Sequence, residues 1–152
     1  MIKTKNYLIL LLLFFNSYNI TAKNKKNDIL ALLMNKPKEL ELVRFKVIPD
    51  YSQEVLEAEY RVPGNKAYKI ERILHKKYGM AKIKHVCCIW ETHPDGVIPA
   101  TPQFNKRYKK YYKKAYIKVA MGAYETPIRR RKNWHKIPYF YVLVTVYDES
   151  RI

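Results

Sequence analysis

Between Val55 and Val62 the chain alternates without a break. Leu56, Ala58, Tyr60 and Val62 fall on one side, and Glu57, Glu59 and Arg61 on the other. A repeat of two is the mark of a strand with one face in a core and the other in water. Whatever this chain folds into must therefore hold a sheet that is covered on one side.

The neighbouring segments extend that reading. Asp28 is placed to cap a short helix, Ile29 to Met34, which Asn35 and Pro37 stop. Glu39 to Ile48 reads as a strand in which Leu40 and Leu42 share one parity and Val43, Phe45 and Val47 the other. Such a switch implies a bulge or cover on both faces. Pro63-Gly64-Asn65 opens a helix with Asn65 as its cap, and Ala67, Ile70, Ile73, Leu74 and Tyr78 form its apolar stripe before Gly79 ends it. Lys82 to Glu91 has apolar residues on both parities, which predicts a central strand. His93 to Gln103 is rich in proline and reads as a loop, and Phe104 to Lys114 fits helix, hairpin or extended chain. Ala115 to Tyr124 and Tyr139 to Tyr147 complete the strands. The predicted order is α-β-β-α-β-β-β, an α+β domain with a mostly antiparallel sheet and both helices on one face.

The first residues set the expected location. Lys3 and Lys5 precede the nine-residue apolar run Tyr7 to Phe15. A spanning helix needs about 20 apolar residues, so this run fits a signal peptide instead. Residues 1–22 are expected to be removed after Ala22, leaving 23–152 as one domain in the periplasm or outside the cell. No cysteine lies near the cut to carry a lipid.

The formal net charge is +17, or about +15 once Lys3 and Lys5 are gone. It is unevenly spread: Gly96 to Tyr147 holds twelve Lys or Arg and one acid, Glu125. A field of this kind draws anionic partners. Its densest part is the basic and aromatic run Lys106, Arg107, Tyr108, Lys109, Lys110, Tyr111, Tyr112, Lys113 and Lys114, with a second run Arg129, Arg130, Arg131 and Lys132. Lysines neutralise phosphates and tyrosines stack on bases or sugars, while on an ordinary wet strand face the same residues simply pack their stems. Export would remove intracellular nucleic acid as a partner, leaving an acidic protein or an anionic envelope surface.

The two cysteines, Cys87 and Cys88, are adjacent. In a strand their side chains would point to opposite faces and an ordinary disulfide between them would strain the backbone. Two buried thiols are the expectation for this residue type. A thiol paired with another chain and a strained vicinal disulfide acting as a redox switch stay open. His85, Cys87, Glu91 and His93 share parity, but a straight strand spreads them too far for one metal ion, and no metal or other cofactor is expected. The four histidines lie in no recognisable nucleophile motif, and the four glycines form no phosphate loop.

At Tyr60-Arg-Val-Pro-Gly64, Cys87-Cys-Ile-Trp-Glu91, Tyr116-Ile-Lys-Val-Ala-Met121 with Glu125, and Trp134-His-Lys-Ile-Pro-Tyr-Phe-Tyr-Val142, the chain resembles an uncharacterised family of small exported bacterial proteins, a domain of unknown function. The resemblance runs from about Asp28 to Glu149. It implies a single secreted or lipid-anchored domain in which the cysteine pair and the Trp134 segment belong to the fold, and it brings no activity. This chain lacks the lipidation cysteine of anchored members.

Three functions follow as expectations. The first is an exported, non-catalytic binding protein, in its concrete form an immunity-type inhibitor that occludes an acidic protein partner. The second is a binder of an anionic envelope polymer or membrane surface through the Lys/Arg/Tyr patch. The third is a cysteine-dependent enzyme or redox protein. The export reading has a direct check: chain isolated from its native host should give an intact mass that begins near Lys23, and a mass beginning at Met1 would sink it.

Overall fold

The computed structural model describes residues 28–33, 36–50, 53–102, 104, 106 and 114–148. The segment 1–22 expected to direct export, the polar lead to Asn27 and most of the run from Phe104 to Lys114 lie outside the described residues.

Strand β2 (Gln53–Pro63) behaves as its alternation requires: Leu56, Ala58, Tyr60 and Val62 are buried, and Glu57, Glu59 and Arg61 keep contact with water. Strand β1 (Glu41–Asp50) pairs with it antiparallel, and the register slips between Leu42 and Arg44. That bulge is the parity switch, and it lets Leu42 and Phe45 both pack against the core. Strands β6 (Ala115–Gly122) and β7 (Tyr139–Asp148) supply the other inward rows, Ile117, Val119 and Met121 beside Phe140, Val142, Val144 and Val146. The five-stranded sheet runs β1-β2-β7-β6-β5, antiparallel throughout, with β5 (Gly96–Pro99) as the last edge. The fold is α+β, as the patterning requires.

Two helices with described bounds cover the inward face, and Pro102, Phe104 and Lys106 are also helical, with Phe104 buried. Helix α1 (Ile29–Leu33) buries Ile29, Leu30 and Leu33. Asp28 caps it through Oδ1, which accepts from the Ala31 N–H at 3.1 Å and from the Tyr60 hydroxyl at 2.8 Å. The Tyr60 oxygen in turn accepts from the Leu30 N–H at 3.0 Å. A five-residue helix is too short to persist alone, so this phenol from the sheet is what pins it. Burial, with the Asp28 charge beside it, holds the Tyr60 phenol far above its ordinary range. Burial alone pushes that of Tyr78 up to about 12.

Helix α2 (Gly64–Tyr78) begins two residues earlier than a cap at Asn65 would allow. Pro63 stands at its cap with no side-chain cap bond, and the Gly64 N–H donates to the Pro138 carbonyl instead. Gly79, at φ 69°, ends the helix as expected. The helix buries Ala67, Ile70, Leu74 and Tyr78, and also Glu71, which is 2% exposed. Glu71 accepts from the Ile83 N–H at 2.8 Å and pairs with Arg131, whose guanidinium also donates to the Ile83 carbonyl at 2.7 Å.

Two expectations are corrected. Lys82 to Glu91 is not one central strand but a hairpin, β3 (Lys84–Val86) and β4 (Ile89–Glu91), in a separate two-stranded sheet. The chain reverses at Cys87, whose φ is 54°. The apolar residues on both parities arise because Ile83 and Trp90 are both buried across the hairpin, not because one strand is covered twice. The region His93 to Gln103 holds β5, whose single proline, Pro99, is tolerated because an edge strand needs donors on one side only. The sequence between β6 and β7, which carries the second basic run, contains a 3-10 helix, Arg131–Lys136.

Among the described residues Arg131 is the cation paired with the buried Glu71 carboxylate, so its removal should be costly. Arg131→Met is expected to lower stability by about 2–3 kcal/mol in chemical denaturation, less than the full cost of orphaning a buried charge because the Arg131 side chain keeps some contact with water. Adding Glu71→Gln should recover part of the loss. A single variant as stable as the parent would refute the role.

Candidate functional site

The helices leave the other face of the sheet without cover from any described helix. Register places its side chains in rows. One row crosses Arg44, Glu59, Leu143 and Ala120; the next crosses Lys46, Glu57, Thr145, Lys118 and Val97. A third brings together Glu41, Arg61, Tyr141 and Gly122. A wet sheet face is ordinarily polar. Here the centre is Leu143, 37% exposed, with Ala120 and Gly122 beside it and tyrosines around.

The hairpin turns this face into a groove. The Ala123 N–H donates to the Trp90 carbonyl at 2.8 Å, and the Trp90 N–H donates to the Ala123 carbonyl at 3.3 Å. Strand β4 thereby takes up the edge of β6 that β5 leaves open. Thr92, buried, fills the gap between them: its hydroxyl donates to the Met121 carbonyl at 2.6 Å and accepts from the Met121 N–H at 2.9 Å. The approach requires a residue without a side chain at 122, since a Cβ there would sit 2.5 Å from the Trp90 carbonyl oxygen. The result is a groove of about 460 Å³. Its floor is Ala120, Gly122 and Leu143, one wall carries Ile89, Trp90 and Glu91, the other Arg44, Glu57 and Glu59, and Tyr124 and Tyr141 stand with ring centroids 4.5 Å apart.

The groove is acid-rich on a strongly basic protein. Of its carboxylates, Glu59 is held by Arg44 at 2.6 Å, Glu57 by Lys46 at 2.8 Å and Asp95 by Lys118 at 2.9 Å. Glu91 lies opposite Lys84 in the hairpin register. Burial first, then the Glu59 carboxylate, raises the Tyr124 phenol above its ordinary value, while Arg44 pulls it down. An apolar floor, two tyrosines and three carboxylates engaged by cations are features that can seat a polypeptide segment.

The described residues among those singled out in the sequence lie elsewhere. Arg107, Tyr108, Lys109, Lys110, Tyr111, Tyr112 and Lys113 are outside the described residues. Lys106 is exposed, and Lys114 opens β6, its Nζ 5.6 Å from the Tyr116 ring centroid. Arg129, Arg130 and Lys132 are exposed beyond the other end of β6. Arg131 turns inward, to Glu71 and to the Trp134 ring at 4.3 Å. A further basic surface lies on the outer side of α2, where Lys69, Arg72, Lys76 and Lys82 surround Tyr68, Ile73 and His75. Cys87 is exposed and Cys88 half-buried, and both are free thiols, contrary to the expectation of two buried ones. Their turn, not a strand, carries them to the surface. The Cys88 thiol is held above its ordinary range first by its hydrogen bond with Cys87, then by burial and the nearby Glu125 carboxylate. That disfavours a nucleophilic thiolate at Cys88. Among the described residues no cluster of three or more His, Cys, Asp or Glu is placed to hold a metal ion. No described helix is long and apolar enough to cross a membrane.

A family model described as a domain of unknown function (DUF4952) matches residues 16–90. The chain is similar to that uncharacterised family from Asn16 to Trp90, which includes α1, β1, β2, α2 and most of the hairpin. The resemblance expected through Glu149 is thus carried by the Tyr60 and Cys87 segments, while those at Tyr116 and Trp134 lie past the match. No curated protein and no solved structure matches the chain.

Gly122 tests how the groove is built. Gly122→Ala is expected to push the hairpin off β6, costing about 1–3 kcal/mol by overpacking and changing the Trp90 fluorescence. A variant with parental stability and emission would show that the hairpin does not rest there.

Proposed function

We propose that this chain is a non-catalytic binding protein that, after export, holds a protein partner across the open face of its sheet. The observation that supports this most strongly is the exposure of Leu143, at 37%, and Tyr124, at 67%, in and beside a groove where a wet sheet face would be polar. Tyrosine is a favoured interface anchor because it brings a large rigid ring and a hydroxyl at small entropic cost. Arg44 and Arg61 line the same face, Arg61 lying 4.8 Å from the Tyr139 ring centroid.

Charge refines the partner. The carboxylates along the groove favour a lysine or arginine from the segment that enters it. The large positive charge of the whole chain favours an acidic surface around that segment and speeds encounter with it. The mechanism is occlusion. In its concrete form the chain is an immunity-type inhibitor in the cell envelope, covering the working surface of an incoming protein.

Site-specific photo-crosslinking tests the reading. A crosslinker at position 143 or 124, in protein expressed in the native host, should yield one discrete polypeptide adduct, and a crosslinker at position 68 on the helix side should not. Leu143→Glu should reduce capture of the same polypeptide at least about tenfold, as expected when a charge is buried in an interface core. Equal adducts at all three positions, or none at 143 and 124, would refute it.

A further inference from the structure

Adjacent cysteines in a strand point apart, but these two do not lie in a strand. They are the two central residues of the turn that joins Val86 to Ile89, which pair across the hairpin. Only the first, Cys87, has positive φ, the pattern of a type II′ turn, in which that place normally belongs to glycine. A side chain held there stores strain on the order of 1 kcal/mol or more. Glycine or asparagine would relieve it, and this chain has cysteine instead. As neighbours at the two central places of one tight turn the thiols stay close, and the Cys87 thiol is the first cause that holds the Cys88 thiol up. Cys87 is exposed, so an oxidant reaches it directly.

We infer that Cys87 and Cys88 are a reversible dithiol–disulfide pair, and that closing the bond resets the hairpin wall of the groove. In the step, a small disulfide such as oxidised glutathione is the oxidant. The Cys87 sulfur, as thiolate, attacks one sulfur of the disulfide and expels one thiolate. With Cys87 in the mixed disulfide, Cys88 is released from the hydrogen bond that held its proton; its sulfur gives that proton to solvent, attacks the Cys87 sulfur and expels the second thiolate. Two protons and two electrons leave the protein, one S–S bond forms in it, and the oxidant becomes two thiols. Because a trans peptide holds the Cα atoms roughly 3.8 Å apart and ordinary disulfides need at least about 4.4 Å, the bond strains the turn and is easily reopened by thiols.

That strain has a path to the groove. The Cys88 carbonyl accepts from the Thr126 N–H at 2.8 Å, and two residues along β4 the Trp90–Ala123 pair joins the hairpin to β6. Tyr124 sits between Ala123 and Thr126, so both ties bracket the residue at the mouth of the groove. A turn that changes shape at Cys88 therefore moves the backbone that positions Tyr124. The inference concerns the bond and the hairpin alone and does not depend on the identity of any bound partner.

Intact mass and hydrogen exchange decide it. The purified native protein, treated with oxidised glutathione, should lose the mass of two hydrogen atoms, lose both titratable thiols under denaturing conditions, and regain them with dithiothreitol. Cys88→Ser should stop at a glutathione adduct on Cys87. Exchange at the Thr126 amide should quicken on oxidation and return on reduction. Stable double glutathione adducts, disulfide-linked dimers or unreacted thiols would overturn the pair, and unchanged exchange at Thr126 would overturn its hold on the groove.

Discussion

One guanidinium joins the two halves of this protein. Arg131 pairs with Glu71 on α2 and donates to the Ile83 carbonyl, while Glu71 takes the Ile83 N–H. Helix, hairpin approach and 3-10 helix thus meet at one ion pair. Burying a carboxylate is expensive, and a buried ion pair returns little net stability against an apolar replacement. What it does fix is position. Arg131 lies over Trp134, whose ring meets Trp90 edge-on at 5.2 Å and Phe140 at 4.8 Å. The indole of Trp90 is then tied down by its Nε1 donating to the Ile128 carbonyl at 2.7 Å. From Glu71 to Trp90 each contact sets the next, and the last of them is the wall of the groove.

The groove is a consequence of how a five-stranded sheet finishes its edge. Strand β5 is four residues long and covers only part of β6. The rest of that edge would present bare backbone groups, a liability in any sheet. Thr92 satisfies Met121 and Trp90 satisfies Ala123, and in doing so β4 rises beside the open face instead of continuing flat. The edge repair and the concavity are the same piece of structure. Gly122 is where they touch.

Much of the fold could be read in the sequence because it follows from period and from local chemistry. The alternation at Leu56 to Val62, the parity switch after Leu42, the Asp28 cap and the Gly79 stop all concern residues within a turn or two of each other. The hairpin at Cys87 was not legible, because a cysteine with positive φ imitates no turn signal and apolar residues on both parities suit a central strand equally well. The groove was hidden for a different reason. Glu57 and Glu59 looked like an ordinary wet face, and their partners Lys46 and Arg44 lie on a strand whose register depends on the bulge. One clue was present: Tyr141 and Leu143 occupy the outer parity of β7, where a solvated face would hold polar residues. Basic clusters drew attention by composition, yet composition does not tell that Arg131 faces inward.

The charge pattern then takes on a different meaning. With thirty Lys and Arg against thirteen Asp and Glu, a carboxylate anywhere on this chain sits in a positive field. Such a carboxylate is easily paired, and a groove that gathers Glu57, Glu59, Glu91 and Asp95 concentrates what little negative potential the surface has. Long-range attraction depends on net charge and falls off within about 8 Å at physiological salt, whereas seating depends on the local set. A partner drawn in by its acidic surface would thus meet a groove suited to a cation and an aromatic or aliphatic side chain. Under the binding role proposed above, two opposite charge preferences at two length scales favour a partner that carries both, arranged around one protruding segment. A surface of uniform sign, whether polymer or lipid, satisfies only the first.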